Sequence, residues 1–488
     1  MNTNFKRPAK RLMFLTYGAG FLTSILIISG VEYLSSRLSP NAAVSTQPAS
    51  TQPLNSAPLA TPAPMLAEAK LAKEDAASLN LLGERVSPQK IAARSPSVSA
   101  QAKPLTPAEK AVAQKAWQYF ERNLDTKTGL VNSVDNFASV TLWDQSAAMA
   151  GVISAKKLNL ISAADFKAKM SLMLTTLTKL PLYKGELPNK VYNAKTLMPV
   201  GYGQLTKKEE IGWSAIDVGR LALWLKITAA KYPEFKPQTE AVWKSWRVER
   251  LVKGGQMYGT QVVKQKENYN QEGRLGYESY AAYGLKLWGL DVSKAMDVEN
   301  KSAFVKLYGQ SIPFDIRDVE NSKANNYVLS EPYFLDGIET GFKSLPKAYA
   351  DQILAAQEAR YKATQQLTAL TEDNLDRAPY FVYNTLYVNG KPWSTISDNG
   401  KSHNRLRFLS SKAAIGWHVL YNTPYTQKLF DFVQNNLSAK DGWYSGFYES
   451  LEEPNAVLTA NNNGIILESL LYKQVGQPLT QWAEGTKP

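Results

Sequence analysis

Between residues 107 and 473 the chain alternates two kinds of apolar pattern. In the first, apolar residues recur at three- and four-residue steps with charges between them, as on a helix with one face in water. In the second, Gly, Ala and large apolar residues occupy nearly every face, as on a helix buried all round. The first kind is predicted at 107–123, 162–179, about 237–252, 293–308, 346–363 and 424–437. Each is followed by the second kind: WDQSAAMAGVISAKKL (143–158), GWSAIDVGRLALWLKIT (212–228), GYESYAAYGLKLWG (276–289), EPYFLDGIETGF (331–342), RFLSSKAAIGWHVLY (407–421) and LTANNNGIILESLLYK (458–473). Six such pairs predict an all-α fold, an (α/α)6 barrel in which an outer ring of helices encloses an inner one.

That arrangement places the loops preceding the inner helices on a single face. Five of them are long, at roughly 180–210, 254–275, 309–329, 364–406 and 438–457. Long loops inside a compact domain usually carry function. These hold YKGELPNKVYN, QKENYNQEG, IPFDIRD, TEDNLDRAPYFVYNTLYVNGKPW and GWYSGFYESLEEPN, rich in Tyr, Trp, Asn, Asp and Glu. Aromatic faces stack on sugar rings and carboxylates bind hydroxyls, so a polysaccharide or oligosaccharide cleft is expected there. NLDTKTGL (123–130) and NLSAKDGW (436–443) share residues at matching offsets, a faint internal repeat.

Ahead of the barrel lie three further regions. Residues 1–11 form a basic tail, with Lys6, Arg7, Lys10 and Arg11. Leu12 to Val31 run without a charge, about the length needed to cross a bilayer core, so residues 12–34 read as a transmembrane anchor. The basic flank predicts a cytoplasmic amino terminus and a periplasmic main domain at the bacterial inner membrane. Val31-Glu32-Tyr33-Leu34 lacks the small-residue pattern of a cleavage site, which favours an uncleaved anchor. Residues 35–104 are rich in Ala, Pro, Ser, Thr and Gln and read as a disordered spacer, with a short helix at 66–82. Residues 105–488 are the barrel domain.

Composition narrows the chemistry. The 488 residues include no Cys and two His, which excludes disulfides and thiolate nucleophiles and leaves no multi-histidine metal site. Neither a metal nor a cofactor is expected. Of the net charge of +13, the first 104 residues supply +6, leaving +7 on the barrel domain. A lysine-rich surface accounts for this, and an anionic partner would also suit it. No zinc finger, arginine-rich run or nucleotide fingerprint is present, so nucleic acid is not an expected partner.

Carboxylates must therefore carry the acid–base work. Cleaving a glycosidic bond needs one acid on the leaving oxygen and a second carboxylate as nucleophile or base. Glu278, opening the third inner helix between Tyr277 and Tyr280, is the expected general acid, although a helix start also favours a glutamate for its dipole. Asp144, Glu186 and Glu449 are the candidate partners. Asp144 follows Trp143 at a helix start, where it would also cap; Glu186 lies in a loop with Tyr192 and Asn193; Glu449 is flanked by Trp443 and Tyr448. Trp213, Asp217, Glu331, Tyr333 and Asp336 complete the expected binding set, with Asp217 also placed to pair locally with Arg220. His418 reads as a core residue, and His403 carries no signal.

The segments LWDQSAAMAG, KGELPNKVYN, GWSAIDVGRLALWL, GYESYAAYGLKLWG, EPYFLDGIETGF and LTANNNGIILESLLY resemble the bacterial domain-of-unknown-function 3131 family over residues 107–474. The layout is similar to glucoamylase-like and β-1,2-glucanase-like (α/α)6 glycoside hydrolases, which implies a glycan hydrolase by analogy of fold, here expected behind the membrane anchor read at 12–34. No catalytic pair carries over residue by residue. Two other functions fit the same pattern: a non-catalytic glycan-binding protein working with envelope polysaccharide machinery, and a polysaccharide lyase.

Overall fold

The computed structural model describes residues 102–485 and the backbone of Leu79–Asn80. The expected membrane span at 12–31 and most of the spacer lie outside the described residues. Among the described residues, no helix is long and apolar enough to cross a membrane.

The inner helices are α2 (Leu142–Lys157), α4 (Ala215–Lys231), α6 (Tyr277–Lys286), α7 (Glu331–Leu335), α9 (Ser411–Tyr421) and α11 (Ala460–Val475). Each packs on the next, and α11 packs back on α2, so the ring closes. Their outer companions are α1 (Pro107–Asn123), α3 (Ala163–Lys179), α5 (Lys236–Lys244), α8 (Lys347–Thr364) and α10 (Pro424–Asn436). A last helix, α12 (Leu479–Glu484), lies at the far end, where Thr480 Oγ1 donates to the Glu339 carbonyl at 3.0 Å.

Inner helices start where the sequence offers a side-chain cap. Thr141, Ser214, Ser410 and Thr459 each accept a backbone N–H of the first turn of α2, α4, α9 and α11. Their burial matches the apolar pattern; all eleven residues of α9 are buried. Close approach of α4 and α6 depends on glycine at facing positions, for a Cβ on Gly284 would stand 1.9 Å from the Gly219 carbonyl oxygen.

Several expectations are corrected. The segment expected as an outer helix at 293–308 instead leads into an antiparallel hairpin of Ser302–Leu307 and Gln310–Asp315. Its turn residues Tyr308 and Gly309 both have positive φ, 47° and 79°, the geometry favoured in two-residue hairpins. Period-two alternation in VKLYGQSI wins over helix spacing here. Leu79–Asn80 add a third strand beside Leu307 and Lys306, so this part of the expected spacer is paired and not helical. The third outer helix stops at Lys244, where Ser245 Oγ donates to the Val242 carbonyl at 2.7 Å. Finally, the fourth inner helix is short and continues as a π turn, Asp336–Thr340, ended by Gly341 at φ 73°. With further hairpins in the long loops, such as Gln256–Val263 with Lys266–Gln271, the chain is helix-rich and not purely α.

Candidate active site

The mouth of the ring lies at the amino-terminal ends of the inner helices, and its floor is a polar cluster drawn from all six. Trp143, the second residue of α2, donates from Nε1 to Glu331 Oε1 of α7 at 3.2 Å and to Asn461 Oδ1 of α11 at 3.1 Å. Asn461 Nδ2 donates to Glu331 Oε1 at 3.2 Å, and Lys412 of α9 holds Glu331 Oε2 at 2.6 Å. Beneath them the Arg220 guanidinium of α4 lies 4.6 Å from the Trp143 ring centroid and donates to Asn461 Oδ1 at 2.9 Å. Arg220 also meets Glu468 at 3.2 Å and Glu339 at 3.8 Å, while Tyr280 of α6 donates to Glu339. The lumen below the floor is thus filled. Burial alone would lower the Lys412 ammonium; Asp373, Glu331 and Glu372 offset it and keep Lys412 charged.

Carboxylates and phenols stand above the floor. Tyr277 meets the Trp143 ring edge-on at 5.2 Å and donates its hydroxyl to Glu372. Thr371 Oγ1 donates to the other Glu372 oxygen at 2.8 Å. Burial, opposed by Lys412 and reinforced by Asp373, pushes the Glu372 carboxyl up to about 7. Burial with Lys412 opposing also brings Asp373 to about 6.

On the neighbouring wall stand Asp217, Asp144 and Glu272. Glu272 is committed, accepting from Ser214 Oγ at 2.8 Å and the Ala215 N–H at 2.6 Å. Asp144 takes Ser133 Oγ and Thr141 Oγ1, both at 2.6 Å, on the single oxygen Oδ2. Asp217 accepts Ser214 Oγ on Oδ1 at 3.1 Å. Burial first, and then the charge of Glu272 with a smaller part from Asp144, pushes Asp217 up to about 7 against Ser214 and Lys190. Across from them, Tyr383 stacks on Tyr327 with ring centroids 3.8 Å apart. Asp398 is raised by burial despite its hydrogen bond with Tyr383.

The mouth therefore gathers Trp143, Asp144, Asp217, Tyr277 and Glu331 from the residues expected by sequence. The rest fall elsewhere. Glu278 is fully buried and tied to Lys301 Nζ at 2.9 Å, Arg317 Nη2 at 2.6 Å and Gln271 Nε2 at 3.0 Å. Buried and occupied by these three donors, its carboxylate does not open onto the mouth, which counts against the expected acid role. Glu449 is a buried partner of Arg360, at 2.8 and 2.9 Å, and Glu186 pairs with Arg247 at 2.9 Å and Arg250 at 3.2 Å.

Among the expected binding residues, Tyr192 donates to the Pro181 carbonyl at 2.8 Å, and Asn193 Oδ1 accepts from Lys195 N at 2.9 Å while its Nδ2 donates to the Leu205 carbonyl at 3.0 Å. Trp213 and Trp443 are buried and donate to the carbonyls of Tyr258 at 3.2 Å and Val112 at 3.0 Å. Tyr448 is held by Asp376 at 2.9 Å. Buried Tyr333 finds no hydrogen-bond partner among the described residues. Asp336 accepts Ser344 Oγ at 2.7 Å and Leu345 N at 2.9 Å, closing the π turn, and burial brings it to about 6. Tyr280 sits under the floor, and Arg220 turns inward to Glu468 instead of pairing with Asp217. His418 packs on Phe430 at 4.8 Å, and burial lowers it to about 4.

Sequence reasoning missed Glu272, Glu372, Asp398, Tyr383, Lys412 and Asn461. Glu372 and Tyr383 stand in the long 364–406 loop that reads as functional, but nothing local marks them among its other polar residues. Among the described residues, no three acidic or histidine side chains converge as metal ligands.

No curated protein matches the chain in sequence. In structure it is similar to a proposed glucoamylase from Bacteroides fragilis, with a TM-score of 0.56, 13% identity and coverage of 80% of this chain and 96% of that one. An endo-β-1,2-glucanase from Chitinophaga pinensis, solved with sophorotriose and glucose, gives a TM-score of 0.55 at 11% identity, covering 76% and 94%. The endo-β-1,2-glucanase of Talaromyces funiculosus with sophorose gives 0.52 at 13% identity, covering 76% and 85%. At such identities the shared property is the glycoside hydrolase-like (α/α)6 fold. The protein of unknown function (DUF3131) family matches residues 111–476, three quarters of the chain, and the chain belongs to that family.

Proposed function

We propose that this chain hydrolyses an uncharged bacterial glycan in the mouth of the ring, with Asp217 as general acid and Asp144 as its partner. The observation that carries the reading is the Asp217 carboxyl, which faces the mouth and is pushed up to about 7 by burial and Glu272. A general acid works best with a pKa near the operating pH, and that condition is met here. Asp144 stands close enough for its charge to be felt at Asp217, and three hydrogen bonds fix its orientation. Glycan-acting neighbours of the same fold support the substrate class.

The charge of the mouth opposes an anionic substrate. Asp144, Asp217, Glu272, Glu372 and Asp398 crowd it, whereas Lys412 and Arg220 are engaged in the floor. A uronate would add to the like-charge repulsion that already raises Asp217. Lyase chemistry would need a phenol or imidazole base, yet burial raises the phenol of Tyr383 well above its ordinary value. The anchor at residues 12–34 would hold this activity at the periplasmic face of the inner membrane, alongside envelope polysaccharide machinery. A glycan-binding role without catalysis is the second reading, favoured by the aromatic walls alone.

The test incubates the wild-type protein and its Asp217→Asn and Asp144→Asn variants with sophoro-, cello- and malto-oligosaccharides and with a uronate polymer. New reducing ends from a neutral glycan, lost in both variants, are expected. Cleavage that survives Asp217→Asn sinks the assignment of the acid, and an unsaturated product absorbing in the ultraviolet would make the protein a lyase.

A further inference from the structure

Tyr202 is 51% exposed, more than any other large hydrophobic residue among those described. An exposed tyrosine on a convex surface would be ordinary. This one lies within the field of carboxylates from separate parts of the mouth. Asp217, Asp398, Glu272 and Asp144 all bear on its phenol, and it bears in turn on Tyr383 of the opposite wall. The loop that carries it leads into α4, and Tyr192 and Asn193 near its start pair with Val140 and Ser139 just ahead of α2, so the ring is open to water on the mouth side of the barrel.

The lobe that carries it is built to hold it there. Asn189, fully buried, ties the two arms of the lobe together at its base. Its Nδ2 donates to the carbonyls of Val200 at 3.3 Å and Glu209 at 3.4 Å, and its Oδ1 accepts from Ile211 N at 2.8 Å. Glu209 N donates across the base to the Pro199 carbonyl at 2.9 Å. Further out, Gln204 closes the lobe on itself through Lys207, at 2.8 and 2.9 Å, and through Glu209 at 3.1 Å. At the tip Tyr202 stands between Gly201 and Gly203, the latter at φ 73°, where small residues leave its ring uncrowded by neighbouring side chains. A firm base and an unencumbered aromatic tip are what a ligand platform needs.

We propose that Tyr202 is a substrate-binding residue whose ring packs against the face of a sugar unit lying over Asp217. The inference rests on the glycan reading of this mouth. A pyranose ring presents C–H groups on one face, which suit the negative face of a phenol ring, and its hydroxyls would meet the surrounding carboxylates. Stacking of this kind binds ground state and transition state alike, so it acts on KM and leaves kcat alone. The hydroxyl of Tyr202 is not required, because the ring face makes the contact.

The experiment compares full-length wild type, Tyr202→Ala and Tyr202→Phe on sophoro-oligosaccharides, with cello- and malto-oligosaccharides as alternatives, reading kcat, KM and equilibrium binding together with the melting temperature. Tyr202→Ala is expected to raise KM about tenfold or more with kcat within about twofold, and Tyr202→Phe to match wild type, at equal melting temperatures. An unchanged KM in Tyr202→Ala overturns the proposal and leaves the hydrolase reading standing. So does an equal loss in both variants with a lowered melting temperature. Binding without cleavage, weakened by Ala and restored by Phe, sinks the hydrolase reading but supports Tyr202. A wild type that neither binds nor cleaves any of these sugars overturns both.

Discussion

Trp143 and Glu331 stand on inner helices that face each other across the ring, and the indole Nε1 donates to the Glu331 carboxylate at 3.2 Å. This bond closes the floor of the mouth. The same indole carries Arg220 against its face at 4.6 Å, so one side chain touches both the open mouth and the buried network below. Replacing Trp143 with Phe keeps much of the ring but removes the donor. Glu331 retains Lys412 and Asn461, so the loss should stay modest, about 1–2 kcal/mol. Urea unfolding should show a lower midpoint with an unchanged slope. A change in slope would mean that the floor helps to hold the ring closed.

Glu278 offers a sharper separation of structure from catalysis. Burial lowers the Lys301 ammonium, and Glu278 is the carboxylate that opposes this at 2.9 Å. In Glu278→Gln, Lys301 loses its charge partner, whereas Arg317 keeps Asp315 at 2.6 Å. Breaking one side of a buried pair costs about 3–5 kcal/mol, so a marked fall in melting temperature is expected. The activity of the protein that remains folded should stay within a few-fold of wild type. A stable but inactive variant would return Glu278 to the chemistry.

The contrast between Glu278 and Asp217 shows how far the sequence is legible. Both open inner helices within apolar, aromatic surroundings, and the helical periodicity locates both correctly. What differs is the partner. Lys301 and Arg317 are 23 and 39 residues beyond Glu278, on segments whose approach depends on the hairpin at 302–315. That hairpin is itself hidden by a pattern that also suits a helix. Asp217 looks paired in sequence because Arg220 follows one turn later, yet Arg220 is drawn inward by Glu468, 248 residues away. Ring order and capping are local properties and can be read from spacing. Charge compensation is a long-range property and cannot.

Glycine spacing on the inner helices gives a prediction of a different kind. The carbonyl of Gly219 would lie 1.9 Å from a Cβ at Gly284, and the Ala281 carbonyl 2.4 Å from a Cβ at Gly219. Both obstacles are backbone atoms, which cannot rotate away. Gly284→Ala should therefore force α4 and α6 apart, at a cost of about 1–3 kcal/mol or more despite alanine's better helix propensity. Gly185, where an added Cβ would meet nothing within 4 Å, is the control for space, although its φ of 70° adds strain of its own. A Gly284→Ala variant as stable as wild type in urea would show that the two helices can slide without loss.

Asp217 links activity and stability through a single proton. With its carboxyl pushed up to about 7, the protonated form needed for general acid catalysis dominates below that pH, and kcat/KM should fall as pH rises through it. Asp217→Asn should lower turnover by roughly 10²–10⁴-fold. The sign for stability follows from the same shift. The folded pKa lies above the ordinary value of 3.8, so the folded state binds the proton more tightly than the unfolded chain does. Its contribution is fully present below about pH 4 and is lost progressively as pH rises to and through about 7. Asparagine has no charge to bury, and the variant should therefore gain on wild type with rising pH, by on the order of 1–3 kcal/mol at about pH 8 relative to about pH 4. Urea midpoints at the two pH values measure this difference directly. A gap that stays constant with pH would mean that Asp217 serves only as part of the cap formed with Ser214, and the general acid would have to be sought at Glu372.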